Sequence, residues 1–228
     1  MKIVFRSTVL LLLIAGSLMA AANIDTVPAW NGTSFISSFG IPNTATYGQT
    51  ITVAPGTGLL LSFAFEMTCN VTVVIRGEVY AWDGNKATGP SLFESTPISV
   101  TAAPNNTTYQ LITINTGGVA LAPGAYVLFV TTSRDAGANS TCRFGSVANT
   151  TYPDGLFVFQ NNGTNFGQLF TNNWSTIASD LAFQASFVGG APTVPAPSTL
   201  TLVVAGLIAV GLFGRFRAVS RSSTTPSD

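Results

Sequence analysis

Residues 59–82 read Leu59-Leu-Leu-Ser-Phe-Ala-Phe-Glu-Met-Thr-Cys69-Asn-Val-Thr-Val-Val-Ile-Arg-Gly-Glu-Val-Tyr-Ala-Trp82 and carry the clearest pattern in the chain. Over 59–67, Leu59, Leu61, Phe63, Phe65 and Met67 fall on one side, with Ser62, Ala64 and Glu66 on the other. A period of two is the mark of a half-buried strand. After Thr68-Cys69-Asn70 the alternation resumes, with Val71, Val73, Ile75, Val79 and Ala81 inward and Thr72, Arg76, Glu78, Tyr80 and Trp82 outward. Two such runs joined by a short link predict a β-hairpin.

Working outward from that pair, further strands are expected at 34–39, 50–53, 98–101, 109–115, 125–132, 156–160 and 182–188, each bounded by Gly, Pro or Asn. No helical period of ten residues occurs before Gly190, and no repeat of fixed length is present. Many short strands separated by turn residues predict an all-β fold, and the length favours a jelly-roll-like antiparallel β-sandwich over residues 23–190. One domain of that size can bury a substantial core.

Charged residues make up 8% of the chain, so the surface is built mainly from Thr, Ser, Asn and Gly. Between residues 23 and 190 lie four basic side chains (Arg76, Lys86, Arg134, Arg143) and eight acidic ones (Asp25, Glu66, Glu78, Asp83, Glu94, Asp135, Asp154, Asp180). A mildly acidic domain disfavours nucleic acid, whose binding rests on replacing counterions with cations. The chain has no histidine, which removes Ser-His-Asp and Cys-His catalysis and the commonest metal ligand. No recognisable carboxylate motif marks a glycosidase pair, so no enzyme, metal or cofactor is expected.

The two cysteines, Cys69 and Cys142, are expected to form a disulfide, because the signal-like start places them in an oxidising compartment and C-x-x-C spacing is lacking. Asp83-Gly84-Asn85-Lys86 at a strand end could offer oxygens to calcium, but with one carboxylate and a lysine it reads as a plain turn. Asn-x-Ser/Thr triplets are read as turn and surface residues. Tyr80, Trp82 and Trp174, with Trp30 and Tyr152 as weaker candidates, could form an aromatic platform for sugar rings.

The two ends carry an address. Lys2 and Arg6, the apolar run 9–14 and Ala20-Ala21-Ala22 follow the plan of a secretory signal peptide, residues 1–22, with cleavage before Asn23. Residues 200–213 are almost wholly apolar and, extended to 199–216, approach the roughly 20 residues that span a bilayer. Arg215, Arg217 and Arg221 follow as a membrane stop, and residues 217–228 form a basic tail on the cytoplasmic side. Residues 191–198 form a Pro-rich linker.

Val194, Pro195, Ala196 and Pro197, followed by the apolar helix and the arginines, resemble the PEP-CTERM sorting tail. The chain differs from that family's pattern at Ala196, where Glu is usual, and in running on through residues 218–228. The resemblance covers about residues 194–217 and implies a bacterial cell-envelope location and processing by an exosortase, a membrane transpeptidase-like enzyme. Tyr47-Gly48-Gln49-Thr50, Val79-Tyr80-Ala81-Trp82-Asp83-Gly84 and Leu121-Ala122-Pro123-Gly124-Ala125-Tyr126 are similar to turn-and-strand motifs of the all-β ectodomains that precede such tails. The expectation is a non-catalytic envelope or extracellular-matrix protein, single-pass in the membrane with its ectodomain outside. The alternative is a carbohydrate-binding module for an envelope or environmental polysaccharide.

Overall fold

The computed structural model describes residues 23–135 and 139–189. Its strands are β1 (Ile24–Asp25), β2 (Phe35–Phe39), β3 (Thr46–Val53), β4 (Leu59–Cys69), β5 (Val73–Trp82), β6 (Ala87–Glu94) and β7 (Ile98–Val100). There follow β8 (Gln110–Ala120), β9 (Gly124–Thr131), β10 (Cys142–Val147), β11 (Phe157–Gln160), the helix α1 (Gln168–Thr171), β12 (Ser175–Thr176), β13 (Asp180–Leu181) and β14 (Phe183–Val188). All described pairings are antiparallel, and they form two sheets.

In the first sheet β4 is central. Phe65 pairs with Ile112 of β8 on one edge and with Phe183 of β14 on the other, and Met67 pairs with Gln110 of β8 and Phe144 of β10. Hence β14 and β10 share one edge of β4, while β8 fills the opposite edge. In the second sheet the order is β12-β11-β3-β9-β5-β6, with β7 continuing along β5.

The predicted hairpin is not formed: β4 and β5 lie in different sheets, and the link after Cys69 crosses from one to the other. The alternation itself holds for β5, since Val73, Ile75 and Val79 are buried in the main core. What overturns the hairpin is that both edges of β4 are already occupied. Two half-buried strands with complementary apolar faces can satisfy them side by side or face to face, and here they do so face to face.

The inward register of β4 also differs at its start. Leu60 is buried while Leu61 is 42% exposed, and Leu59 is exposed as well. A bulge places Leu61 as an extra residue between the pairs Ser186↔Ser62 and Phe187↔Leu60, and an inserted residue switches the faces of all that precede it. The Thr116 hydroxyl donates to the Leu60 carbonyl at this irregularity.

Between the sheets lies an aromatic core. Tyr47 packs against Phe39, Phe144 and Phe157 with ring centroids 5.4, 5.2 and 4.9 Å away. Burial pushes its phenol up to about 12. The sheets approach closely where Gly77 of β5 faces Ile114 of β8, since a Cβ on Gly77 would lie 2.6 Å from Ile114 Cγ1. A buried polar bridge also crosses the interior: Gln49 of β3 donates to Asp180 of β13 at 2.8 Å and accepts from the Leu181 amide at 3.0 Å.

Of the expected strands, 34–39, 50–53, 98–101, 109–115, 125–132, 156–160 and 182–188 are all present with shifted ends. Among the described residues no helix is long and apolar enough to cross a membrane. The signal segment, the sorting motif and the apolar run 200–213 lie outside the described residues.

Cys69 and Cys142 are bonded, with Cα atoms 4.1 Å apart in directly paired positions of β4 and β10. The loop they close spans 73 residues. Replacing both cysteines with Ala should lower the unfolding free energy by about 2–5 kcal/mol, read from denaturant melts. A variant as stable as the parent would show that the sheet pairing alone holds the two strands.

Candidate functional site

The sugar-platform aromatics sit on the outer face of the second sheet. Alternation along β5 sends Arg76, Glu78, Tyr80 and Trp82 outward, as expected, but that face is not the surface. The segment 162–174, including α1, folds over it, and Leu169 and Trp174 pack with Tyr80, Val127, Phe129 and Val158 in a second buried cluster. Gly48 of β3 clears the space beneath, because a Cβ there would lie 2.8 Å from Phe129 Cβ.

Tyr80 and Trp174 are therefore 4% and 8% exposed. Neither offers a ring face to a sugar, which corrects the expectation that they form an open platform. Trp174 is fixed by its indole N–H donating to Leu169 O at 2.9 Å and by its amide donating to Asn85 O at 2.8 Å. Trp82 is half-buried and meets Trp174 edge-on at 5.6 Å. Trp30 packs against Tyr109 instead, and Tyr152 packs against Phe183 while its hydroxyl accepts from the Thr52 amide. So Tyr80, Trp82 and Trp174 come together, Tyr80 and Trp174 as core and Trp82 at its edge, and the other two lie elsewhere.

Beside this cluster runs a charged network on β5, β6 and the end of β9's following turn. Glu78 and Glu94 are direct cross-strand partners, an arrangement that repels when both are ionised. Arg134 reaches both, and Arg76 ties Glu94 to Asp135. Arg76 donates to both oxygens of Asp135 at 2.8 and 3.0 Å and to Glu94 at 2.6 Å. Arg134 lies 3.2 Å from Glu94 and 3.1 Å from Glu78, with its guanidinium 3.8 Å above the Phe166 ring.

Glu78 is fully buried, and its contact with Arg134 is close but misaligned, leaving neither oxygen a well-directed hydrogen bond. Burial first, and the Glu94 charge second, push its carboxyl up to about 8 against the pull of Arg134 and Arg76. Sealed from solvent, Glu78 cannot reach a substrate in this conformation. The network ties β5 and β6 to the turn after β9.

The Asp83 turn is a turn: its carboxylate accepts from the amides of Asn85 and Lys86 at 2.8 and 2.9 Å. Residues 87–94, where no strand is expected from the sequence, form β6. The outer cover could have been anticipated from β9, where Val127, Leu128, Phe129 and Val130 are apolar on both parities. A strand without alternation is buried on both faces. The charged network has no comparable sequence signal, because Arg76, Glu94 and Asp135 are brought together only by strand pairing and the turn.

No known protein family and no curated protein matches the sequence. Two solved structures resemble the fold weakly. One holds the cysteine protease and lectin-like domains of Cwp84, a surface-layer-associated protein of Clostridium difficile, at 13% identity and a TM-score of 0.42 over 65% of this chain and 33% of that one. The other is a clostridial Cwp84 variant after propeptide cleavage, at 12% identity and a TM-score of 0.46 over 70% of this chain and 38% of that one. The chain thus spans between a third and two fifths of each.

An ordinary glutamate releases its proton near 4.5, so between there and about 8 the folded protein holds a proton on Glu78 that the unfolded chain has lost. Stability must fall with rising pH across that window. Glu66 and Asp180 are raised in the same direction, each chiefly by burial. The melting temperature should drop by a few degrees from pH 5 to pH 8, at about 2–4 °C per kcal/mol. Glu78→Gln should flatten that slope, and an unchanged slope would place the titration elsewhere.

Proposed function

We propose that this chain is a non-catalytic cell-envelope or extracellular-matrix protein, exported through its N-terminal signal and sorted by its PEP-CTERM-like tail. The observation that carries the reading is the Cys69–Cys142 disulfide, a bond that forms and persists outside the cytosol. Burial of the chemically capable groups supports it: Glu78 lies under its arginines, and Tyr80 lies under the 162–174 segment to which Trp174 belongs. Among the described strands the chain crosses between sheets after β2, β3, β4, β7, β8, β9, β10 and β12, which supports the jelly-roll-like form of the sandwich.

β1 pairs with β14, so the first and last strands are neighbours. A chain entering and leaving the domain at one edge suits a body held by a single C-terminal tether. In this reading the 200–213 helix halts in the bilayer, with Arg215, Arg217 and Arg221 as the stop. Each arginine costs about 3 kcal/mol to draw into the membrane centre. The Pro195-Ala196-Pro197 stretch stays extended, because proline disfavours helix both at its own position and at the residue before it. It can therefore enter a processing cleft without unwinding.

The second reading, recognition of a polysaccharide, keeps Trp82 alone of the aromatic trio with ring surface at the solvent. The sorting reading is tested by following mass and membrane fraction in hosts with and without exosortase. The tail should be lost only where the enzyme is present, and Ala196→Glu should preserve or increase its loss. Full-length protein in both hosts would make this a permanent single-pass membrane protein.

A further inference from the structure

Two open clefts meet at Arg143, at the disulfide end of the first sheet. The larger, about 490 Å³, is lined by Asn70, Asn105, Asn106 and Thr141 together with Arg143. That volume lies within the roughly 300–1,000 Å³ usual for ligand sites. The smaller, about 170 Å³, lies on the other side of Arg143 and Asn106 and is bounded by Thr33, Phe35 and Tyr109.

Arg143 differs from the other described arginines. Arg76 and Arg134 are bound by carboxylates, whereas no described carboxylate lies within ion-pair reach of Arg143. One of its terminal nitrogens donates to Asn106 O at 3.2 Å, and its guanidinium lies 4.3 Å over the Phe35 ring. The ring holds the guanidinium beside it, the guanidinium carries more N–H donors than the bond to Asn106 uses, and a guanidinium fork matches a carboxylate in two parallel hydrogen bonds. Phe35 is 44% exposed, so apolar ring surface adjoins the charge.

The walls are held firmly. The disulfide joins Cys69 to Cys142, the residues beside Asn70 and Arg143, and Thr141 N donates to Asn70 Oδ1 at 2.8 Å. The 102–107 loop is pinned by Ala103 N to Cys69 O at 2.9 Å and by Asn106 Nδ2 to Thr141 O at 3.0 Å. Asn105 and Asn106 both hold positive φ, 59° and 55°, a conformation that asparagine tolerates better than most residues. Asn106 is 6% exposed and its Oδ1 has no hydrogen-bond partner, an uncommon state for a buried acceptor.

We propose that this paired cleft binds a carboxylate-bearing sugar of the uronic acid class, with the carboxylate on the Arg143 fork. The exposed Asn70, Asn105 and Thr141 serve the hydroxyls, and Phe35 serves a ring face. A single cation suits one carboxylate per contact and does not suit a polyphosphate, while the amide-rich walls favour a polyhydroxylated ligand over a simple apolar acid. The site is separate from Tyr80, Trp82 and Trp174 and does not depend on the sorting reading.

The test is titration of the full-length protein in detergent with a short oligogalacturonate, its methyl ester and a neutral cello-oligosaccharide, followed calorimetrically. The acid should bind and weaken as salt is raised, with the ester and the neutral sugar at least tenfold weaker. Arg143→Gln should lose binding at least tenfold with an unchanged melting temperature, and Phe35→Ala, at an exposed position, should weaken it severalfold. If Arg143→Gln melts early, the Phe35→Ala result and the acid-over-ester preference decide. Absence of binding at millimolar acid, equal binding of acid and ester, or full binding by both variants would overturn the proposal. Because the readout is binding rather than tail processing, its failure leaves the sorting reading standing.

Discussion

The occupied edges of β4 govern this fold. With β8 along one side and β14 and β10 along the other, β4 has nowhere to receive β5, and the chain must cross the sandwich after Cys69. The disulfide to Cys142 sits at that crossing. It fixes the end of β4 against the start of β10, and on the chain-entropy account closing so long a loop contributes about 4 kcal/mol. From the same point hang the 102–107 loop and the walls of the Arg143 clefts, so the covalent link that secures the sheet also shapes a polar cleft at its end.

The second sheet shows a different economy of burial. Its inner face joins the aromatic core around Tyr47, and its outer face is closed by Leu169, Trp174 and their neighbours. Covering that face brings the polar residues of β5 inside along with the apolar ones. Tyr80 tolerates this because its ring is apolar over most of its area. Glu78 does not, and its raised carboxyl reflects an ionised form that two arginines only partly compensate. Asp180, equally buried, is better served because Gln49 and the Tyr152 amide both donate to it.

Much of the strand content was legible because the strands are short, alternating and punctuated by Gly, Pro and Asn. The errors have specific causes. Leu59 and Leu61 were assigned inward from strict alternation, and a bulge at Leu61 reverses them. No strand is expected at 87–94 because Thr88, Gly89 and Pro90 are turn formers, yet β6 runs along β5 with a register irregularity between Val79 and Ala81. Tyr80 and Trp174 were read as surface candidates because a strand's outward side is normally wet, and nothing within β5 announces that the distant segment 162–174 will cover it. The Asp83 turn was legible because its hydrogen bonds are local.

By itself the sequence determined the all-β class, the pairing of Cys69 with Cys142 and most strand positions. These follow from short-range periodicity, from turn residues and from there being no alternative thiol. Tertiary structure alone decided that β4 and β5 face rather than flank one another, that Glu78 is buried, and that Arg143 lies open between two clefts beside Phe35. The division has one physical cause. An alternating strand specifies which of its faces is apolar, but which strand takes each edge, and what covers the other face, is settled by competition among segments far apart in the chain.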